Sequence, residues 1–171
     1  MADRKRLGKA NKRMGSNAER YYMNKFKDLG FEFCRTSREA SKLHDNAKID
    51  LVFIPYNIQV KAGKQQSMNP GKELTLLKAC IASFFPPEHE VHTKSLLLVH
   101  YMPCGRGKKR LPEHEIVYMS LGQFEYFKAL NPALEYLGKK ELKLTIPSEF
   151  RIIVHMTFDY FVQEIVTKKL I

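Results

Sequence analysis

The stretch Ile49-Asp50-Leu51-Val52-Phe53-Ile54, followed at once by Ile58-Gln59-Val60-Lys61, constrains the fold more than any other part of the chain. Both segments are short, apolar and rich in β-branched or aromatic residues, and Pro55-Tyr56-Asn57 is a turn signal between them. They are therefore predicted as neighbouring strands, over 48–54 and 57–62. Side chains alternate across a strand. Gln59 and Lys61 then share one face while Val60 turns into the core, and Asp50 stands on the strand next to them. A lysine on such a buried-looking strand is costly unless its ammonium meets acids.

Upstream, residues 1–15 carry Arg4, Lys5, Arg6, Lys9, Lys12 and Arg13 against Asp3 alone, with almost no apolar residue, which predicts a flexible basic arm. Ser16-Asn17-Ala18-Glu19 matches a capping box, in which the serine oxygen and the glutamate each satisfy a free backbone donor at a helix start. Ala18, Tyr22, Phe26 and Leu29 follow at helical spacing, and Gly30 can end that helix. A first strand is expected over 31–35. Asn69-Pro70 opens a further helix carrying Leu74, Leu77 and Ile81, and Pro86-Pro87 stops it.

The most apolar strand candidate is 95–102, and 115–119 can pair with it across the basic loop Gly105-Arg106-Gly107-Lys108-Lys109-Arg110, which is expected to project into solvent. Helices are predicted over 121–130 and 132–137, a strand over 141–146, and an apolar helical stripe over 158–170. No repeat or linker interrupts this order. The expectation is one α/β domain over 16–171, with the order αβββαβ and C-terminal helical and strand additions, preceded by the arm.

Composition narrows the partners. The 171 residues include 29 Lys and Arg against 18 Asp and Glu, a formal charge of +11 with a pI near 9.6. Such a surface favours a polyanion, nucleic acid first. A membrane partner is not expected, because neither an apolar span of about 18 residues nor a strongly amphipathic basic helix is present. The first residues lack the apolar stretch of a secretory signal, and Cys34, Cys80 and Cys104 are an odd number without CxxC spacing, so a reducing cytoplasm is expected. Cys80, His89, His92 and Cys104 are spaced too irregularly for a compact zinc finger. Buried thiols are the simpler expectation, and the scattered His44, His100, His114 and His155 are assigned no catalytic role.

Glu19 on the first helix, Asp50 on a strand and Gln59-Val60-Lys61 on the next resemble the PD-(D/E)xK nuclease superfamily, especially its Holliday-junction resolvases. The resemblance covers about residues 15–102. It implies a restriction-endonuclease-like core with a central mixed sheet flanked by helices, and a magnesium-dependent DNA endonuclease, manganese substituting, that acts on branched DNA in recombination and repair as a homodimer. Carried onto this chain, Glu19 and Asp50 become metal ligands with the Gln59 amide oxygen and the Val60 carbonyl, while Lys61 sits by the attacking water. Hard oxygen donors suit magnesium, and a lysine can stabilise charge developing on phosphate. Arg35, Ser37 and Arg38 follow the first strand where resolvases keep serine and basic residues for phosphate contacts. Arg13, Lys64, Lys72, Lys108, Lys109 and Arg110 complete the expected nucleic-acid surface.

Two positions depart from the pattern. Ile49 stands where the superfamily name has proline, a turn-shaping residue that does no chemistry. Gln59 is neutral where most members carry an acid, which leaves two carboxylates instead of three; the Mrr-type restriction nucleases are similar in having QxK. Plainer roles exist for each residue: Glu19 as part of a cap, Asp50 and Lys61 as polar residues of an edge strand, Arg35 and Arg38 as solvated charges. A restriction-like or repair nuclease on duplex DNA, and a non-catalytic nucleic-acid-binding protein on a nuclease fold, are the alternative functions.

Overall fold

The computed structural model describes residues 2–63, 68–105, 107–142 and 147–169, apart from the side chains of 2–7 and 148. Its elements run α1 (Ala2–Asp28), β1 (Arg35–Thr36), α2 (Ser37–Ala40), α3 (Lys42–Asn46), β2 (Leu51–Val52), β3 (Tyr56–Ala62), α4 (Pro70–Phe84), β4 (Ser95–Tyr101), β5 (Glu115–Ser120), α5 (Leu121–Leu130), β6 (Gly138–Glu141), β7 (Ile152–Thr157) and α6 (Phe158–Phe161), the last continuing into a π-helical stretch Val162–Val166. Among the described residues the strands form one mixed sheet in the order β1-β2-β3-β4-β5-β7-β6. Only β3 and β4 are parallel, with Gln59 opposite Leu98 and Lys61 opposite His100. A parallel pair needs a long crossover, and α4 supplies it.

Strand alternation divides the core between the two faces of the sheet. Tyr56, Ile58 and Val60 of β3, Leu97 and Val99 of β4 and Val117 and Met119 of β5 pack under α1 and α6, with Tyr22, Phe26, Phe158 and Phe161. Leu98, Ile116, Tyr118 and Ile153 point the other way, onto Leu74, Leu77 and Ile81 of α4. The fold is thus a three-layer α/β arrangement with a central sheet buried on both sides. Phe158 is fully buried, its ring centroid 4.9 Å from that of Tyr22 and 6.0 Å from that of Phe26. Phe158→Ala removes the aromatic joint between α1 and the C-terminal segment, and should lower unfolding free energy by about 3–5 kcal/mol in a urea titration. A loss below about 1 kcal/mol would mean that α6 is not part of the cooperative core.

Several expectations need correction. Residues 2–15 are the first half of α1, so the arm is helical and Ser16 lies inside the helix instead of capping it. The residues 31–34 form a turn before β1, because Gly30, at φ 94°, reverses the chain out of α1 too abruptly for a strand to begin there. Residues 132–137 are a turn and an extended connection, burying only Leu134, and the strand begins earlier, at Gly138. Residues 143–146 of the expected strand lie outside the described residues. β7 was not anticipated, although Ile152-Ile153-Val154 is a strand-like run.

Candidate active site

Residues remote in sequence line one cleft of about 560 Å³: Glu19 from α1, Asp50 just before β2, and Gln59, Val60 and Lys61 from β3. The cleft exists because β2 is only two residues long and pairs with β3 only at Leu51 and Ile58. Among the described residues, no strand pairs with this edge of β3 beyond Ile58. The Asp50 carboxylate takes that place, Oδ2 accepting a 2.7 Å hydrogen bond from the Val60 N–H. Asp50 is itself fixed at both backbone groups, its N–H donating to the Ile58 carbonyl at 2.8 Å and its carbonyl accepting from the Ser37 N–H at 2.9 Å. The N–H and C=O of one strand residue point to the same side. The Val60 carbonyl therefore shares the open edge with Asp50.

Two buried amides of β3 make an informative contrast. Asn57 donates to the carbonyls of Val91 at 2.7 Å and Lys94 at 3.3 Å, so its burial is compensated. Gln59, two residues on and 4% exposed, has an Oε1 with no hydrogen-bond partner. An unmet buried acceptor costs about 1–3 kcal/mol, which an arriving cation or donor would return. Burial pushes the Asp50 carboxyl up to about 7, against the pull of the Val60 N–H, and the Glu19 charge adds to the rise. Glu19, also 4% exposed, is raised by burial against the opposing charge of Arg38.

Arg38 and Lys61, with Lys12 and Lys48, bring cations to the cleft. Arg38 donates through Nη2 to Glu19 Oε1 at 2.8 Å and through Nη1 to Ser16 Oγ at 2.9 Å, and its Nε lies 3.8 Å from Asp45 Oδ1. Lys61 Nζ forms a 2.9 Å ion pair with Glu73 Oε2 on the first turn of α4. Among the described residues no three His, Cys, Asp or Glu side chains gather closely enough to form a metal site by themselves. The residues that line the cleft offer two carboxylates, an unpartnered amide oxygen and a strand carbonyl. This all-oxygen set fits magnesium, manganese or calcium, and does not suit zinc or copper.

The remaining predicted residues are dispersed. Arg13, Arg35, Lys72, Lys108 and Lys109 are exposed, and Lys64 lies outside the described residues. Ser37 is only 1% exposed and its hydroxyl has no hydrogen-bond partner, so it is not presented to a ligand in solution. Its contribution is the backbone bond that holds Asp50. Arg110 does not project with its loop: its guanidinium stacks 3.9 Å above the Tyr101 ring, donates to the Met102 carbonyl at 3.1 Å and sits 3.6 Å from buried Glu115. It anchors the basic loop to the end of β4, beside Ala62 on the cleft wall. Cys34, Cys80 and Cys104 are free thiols, of which only Cys34 is buried.

The sequence did not single out Asp45 and Lys48, which also line the cleft, or Glu73. Asp45 and Lys48 stand within five residues of Asp50, the one signal available; nothing local marks Glu73. No family model, curated protein or solved structure matches this chain, so the functional reading rests on the cleft itself. No helix among the described residues is long and apolar enough to cross a membrane.

Proposed function

We propose that this protein is a magnesium-dependent DNA endonuclease on a restriction-endonuclease-like core, hydrolysing phosphodiester bonds in branched DNA. The observation that carries the proposal is the buried, unpartnered Gln59 Oε1 on a residue that lines the same cleft as Asp50, Glu19 and Lys61. Glu19, Asp50, Gln59 and the Val60 carbonyl would hold the ion, with manganese an effective substitute. When bound, the ion supplies Lewis-acid charge to the phosphate and makes water more acidic. Asp50 enters this role ionised, and the cation replaces the proton that burial otherwise favours on it.

Lys61 lies at the cleft wall with its ammonium held by Glu73, placed to stabilise the negative charge that builds on phosphate oxygens during attack. Exposed Lys108, Lys109, Lys72, Arg13 and Arg35 give the backbone of DNA a cationic surface to follow. The enzyme acts as a homodimer, because symmetric cutting of two strands takes two active sites.

The test is cleavage of a four-way junction and a matched linear duplex by purified protein in magnesium. Faster junction cutting is expected. Equal rates on both substrates would assign it to duplex cleavage, and absence of cutting with either magnesium or manganese would leave a binding protein on this fold. Glu73→Gln should lower kcat about tenfold with little change in KM, since it loosens the ammonium without touching the substrate, and Glu73→Asp should recover part of the loss. An unchanged kcat would show that Lys61 needs no such anchor.

A further inference from the structure

Arg38 is out of place for a residue whose only task is to meet solvent phosphate. Its side chain is 42% exposed, yet its two donated hydrogen bonds go inward, to Ser16 Oγ and to the buried Glu19. Asp45 lies on its other side, with Oδ1 3.8 Å from Nε, so the guanidinium is flanked by two acids of the cleft. A divalent ion approaching Glu19 meets a carboxylate whose charge Arg38 already neutralises, through Oε1 at 2.8 Å. The two cations compete for the charge of one carboxylate, and repel each other when both are close to it. Glu19 is fixed by burial in α1, whereas Arg38 stands on α2, a helix of four residues, with a long side chain that can swing outward.

We propose that Arg38 is a displaceable counter-cation: it occupies Glu19 until a divalent ion arrives, is exchanged for that ion, and its freed guanidinium then binds a DNA phosphate. The proposal rests on the metal-dependent reading above. It adds an order of events, in which the ion and the nucleic acid bind cooperatively through one side chain. Before exchange, Glu19 is neutralised by a monovalent partner and the site is not left with uncompensated buried charge. After exchange, a planar guanidinium with paired donors is released at the mouth of the cleft, a shape matched to phosphate oxygens. Linkage requires the effect to be reciprocal, so calcium should strengthen DNA binding and DNA should strengthen calcium binding.

Calcium is a suitable probe, since it takes the same oxygen donors and its binding can be followed by titration calorimetry without turnover. Arg38→Gln is expected to bind calcium about tenfold more tightly than the unaltered chain, the size of one partly exposed charged hydrogen bond. Ser16→Ala, which keeps the charge and weakens the hold on Arg38, should tighten calcium binding about twofold to threefold. Lys48→Gln is the control for the general field: it removes a cation from the same cleft but leaves the Glu19–Arg38 pair intact, and should change the affinity less than Arg38→Gln does. In fluorescence anisotropy, calcium should raise the junction affinity of the unaltered protein several-fold and that of Arg38→Gln hardly at all.

Equal calcium affinity in Arg38→Gln and the unaltered chain, or an equal gain in Lys48→Gln, would overturn the exchange while the metal site stands. The same calcium enhancement of DNA binding with and without Arg38 would overturn the transfer to phosphate. Failure of every variant to bind calcium at millimolar concentration would overturn the metal-dependent reading, and the exchange with it.

Discussion

Asp50→Asn and Lys61→Ala are each expected to remove magnesium-dependent junction cutting, by about a hundredfold to a thousandfold or more, while junction affinity measured without a divalent ion changes little. The two losses have different origins. Asn keeps the acceptor that receives the Val60 N–H, so the edge of β3 stays in place, but it removes the negative charge that the proposed ion needs. Ala at position 61 leaves the proposed oxygen ligands untouched and deletes the ammonium that would face the developing charge. Combining the two substitutions should cost scarcely more than either alone, because both act on one transition state. Undiminished cutting by both single variants would place the chemistry elsewhere in the molecule.

The second large effect is on stability and runs opposite to activity. Asp50 is pushed up to about 7 by burial, from 3.8, so between those pH values the native state holds a proton that the unfolded chain has released. The unfolded state binds fewer protons there, and stability falls as pH rises. The contribution of this carboxyl is fully present below about pH 4 and is lost as pH passes through 7, an interval worth up to about 4 kcal/mol. Glu19, also raised by burial, acts in the same sense. His44, His100 and His155, all held low by burial, act in the opposite sense, losing stability as pH falls.

Comparison with Asp50→Asn isolates the aspartate. That variant should equal the wild type near pH 4 and exceed it by about 2–4 kcal/mol at pH 8, measured by urea unfolding without metal. Magnesium should restore the wild type at pH 8 and do little for the variant, because the ion repays the cost of ionising Asp50 only where that carboxylate exists. Matching unfolding curves for the two proteins from pH 5 to 9 would show that Asp50 is not desolvated in the folded chain. A residue whose loss stabilises the fold and removes the activity is the expected mark of a site built against the preferences of the core.

How far these conclusions were legible in the sequence varies from element to element. β3, α4, β4, β5 and α5 came out close to their observed bounds, because each buries a run with an unambiguous period of 2 or 3.6 and has clear end signals, such as Asn69 accepting from the Lys72 N–H at the start of α4. The start of α1 did not, since residues 8–13 are exposed and the segment is helical through local propensity in Lys, Arg and Ala, which periodicity of apolar residues cannot detect. The capping box at Ser16 was a chance match inside a longer helix. Residues 31–34 and 132–137 carried aromatic and apolar residues that local pattern assigns to regular structure, while the chain reversal before β1 and the burial of Leu134 alone left them irregular.

Composition and strand alternation, available in the sequence by itself, determined the basic surface, the α/β class and the common face of Gln59 and Lys61, because side-chain direction along a strand follows from covalent geometry. Tertiary structure alone decided that Glu19 is buried opposite Asp50, that the Asp50 carboxylate stands in for the missing end of β2, and that Arg38 and Glu73 claim the charges of Glu19 and Lys61. Each of those facts depends on where a strand stops and on how two helices seat on the sheet, and such long-range packing leaves no periodic trace in the order of the residues.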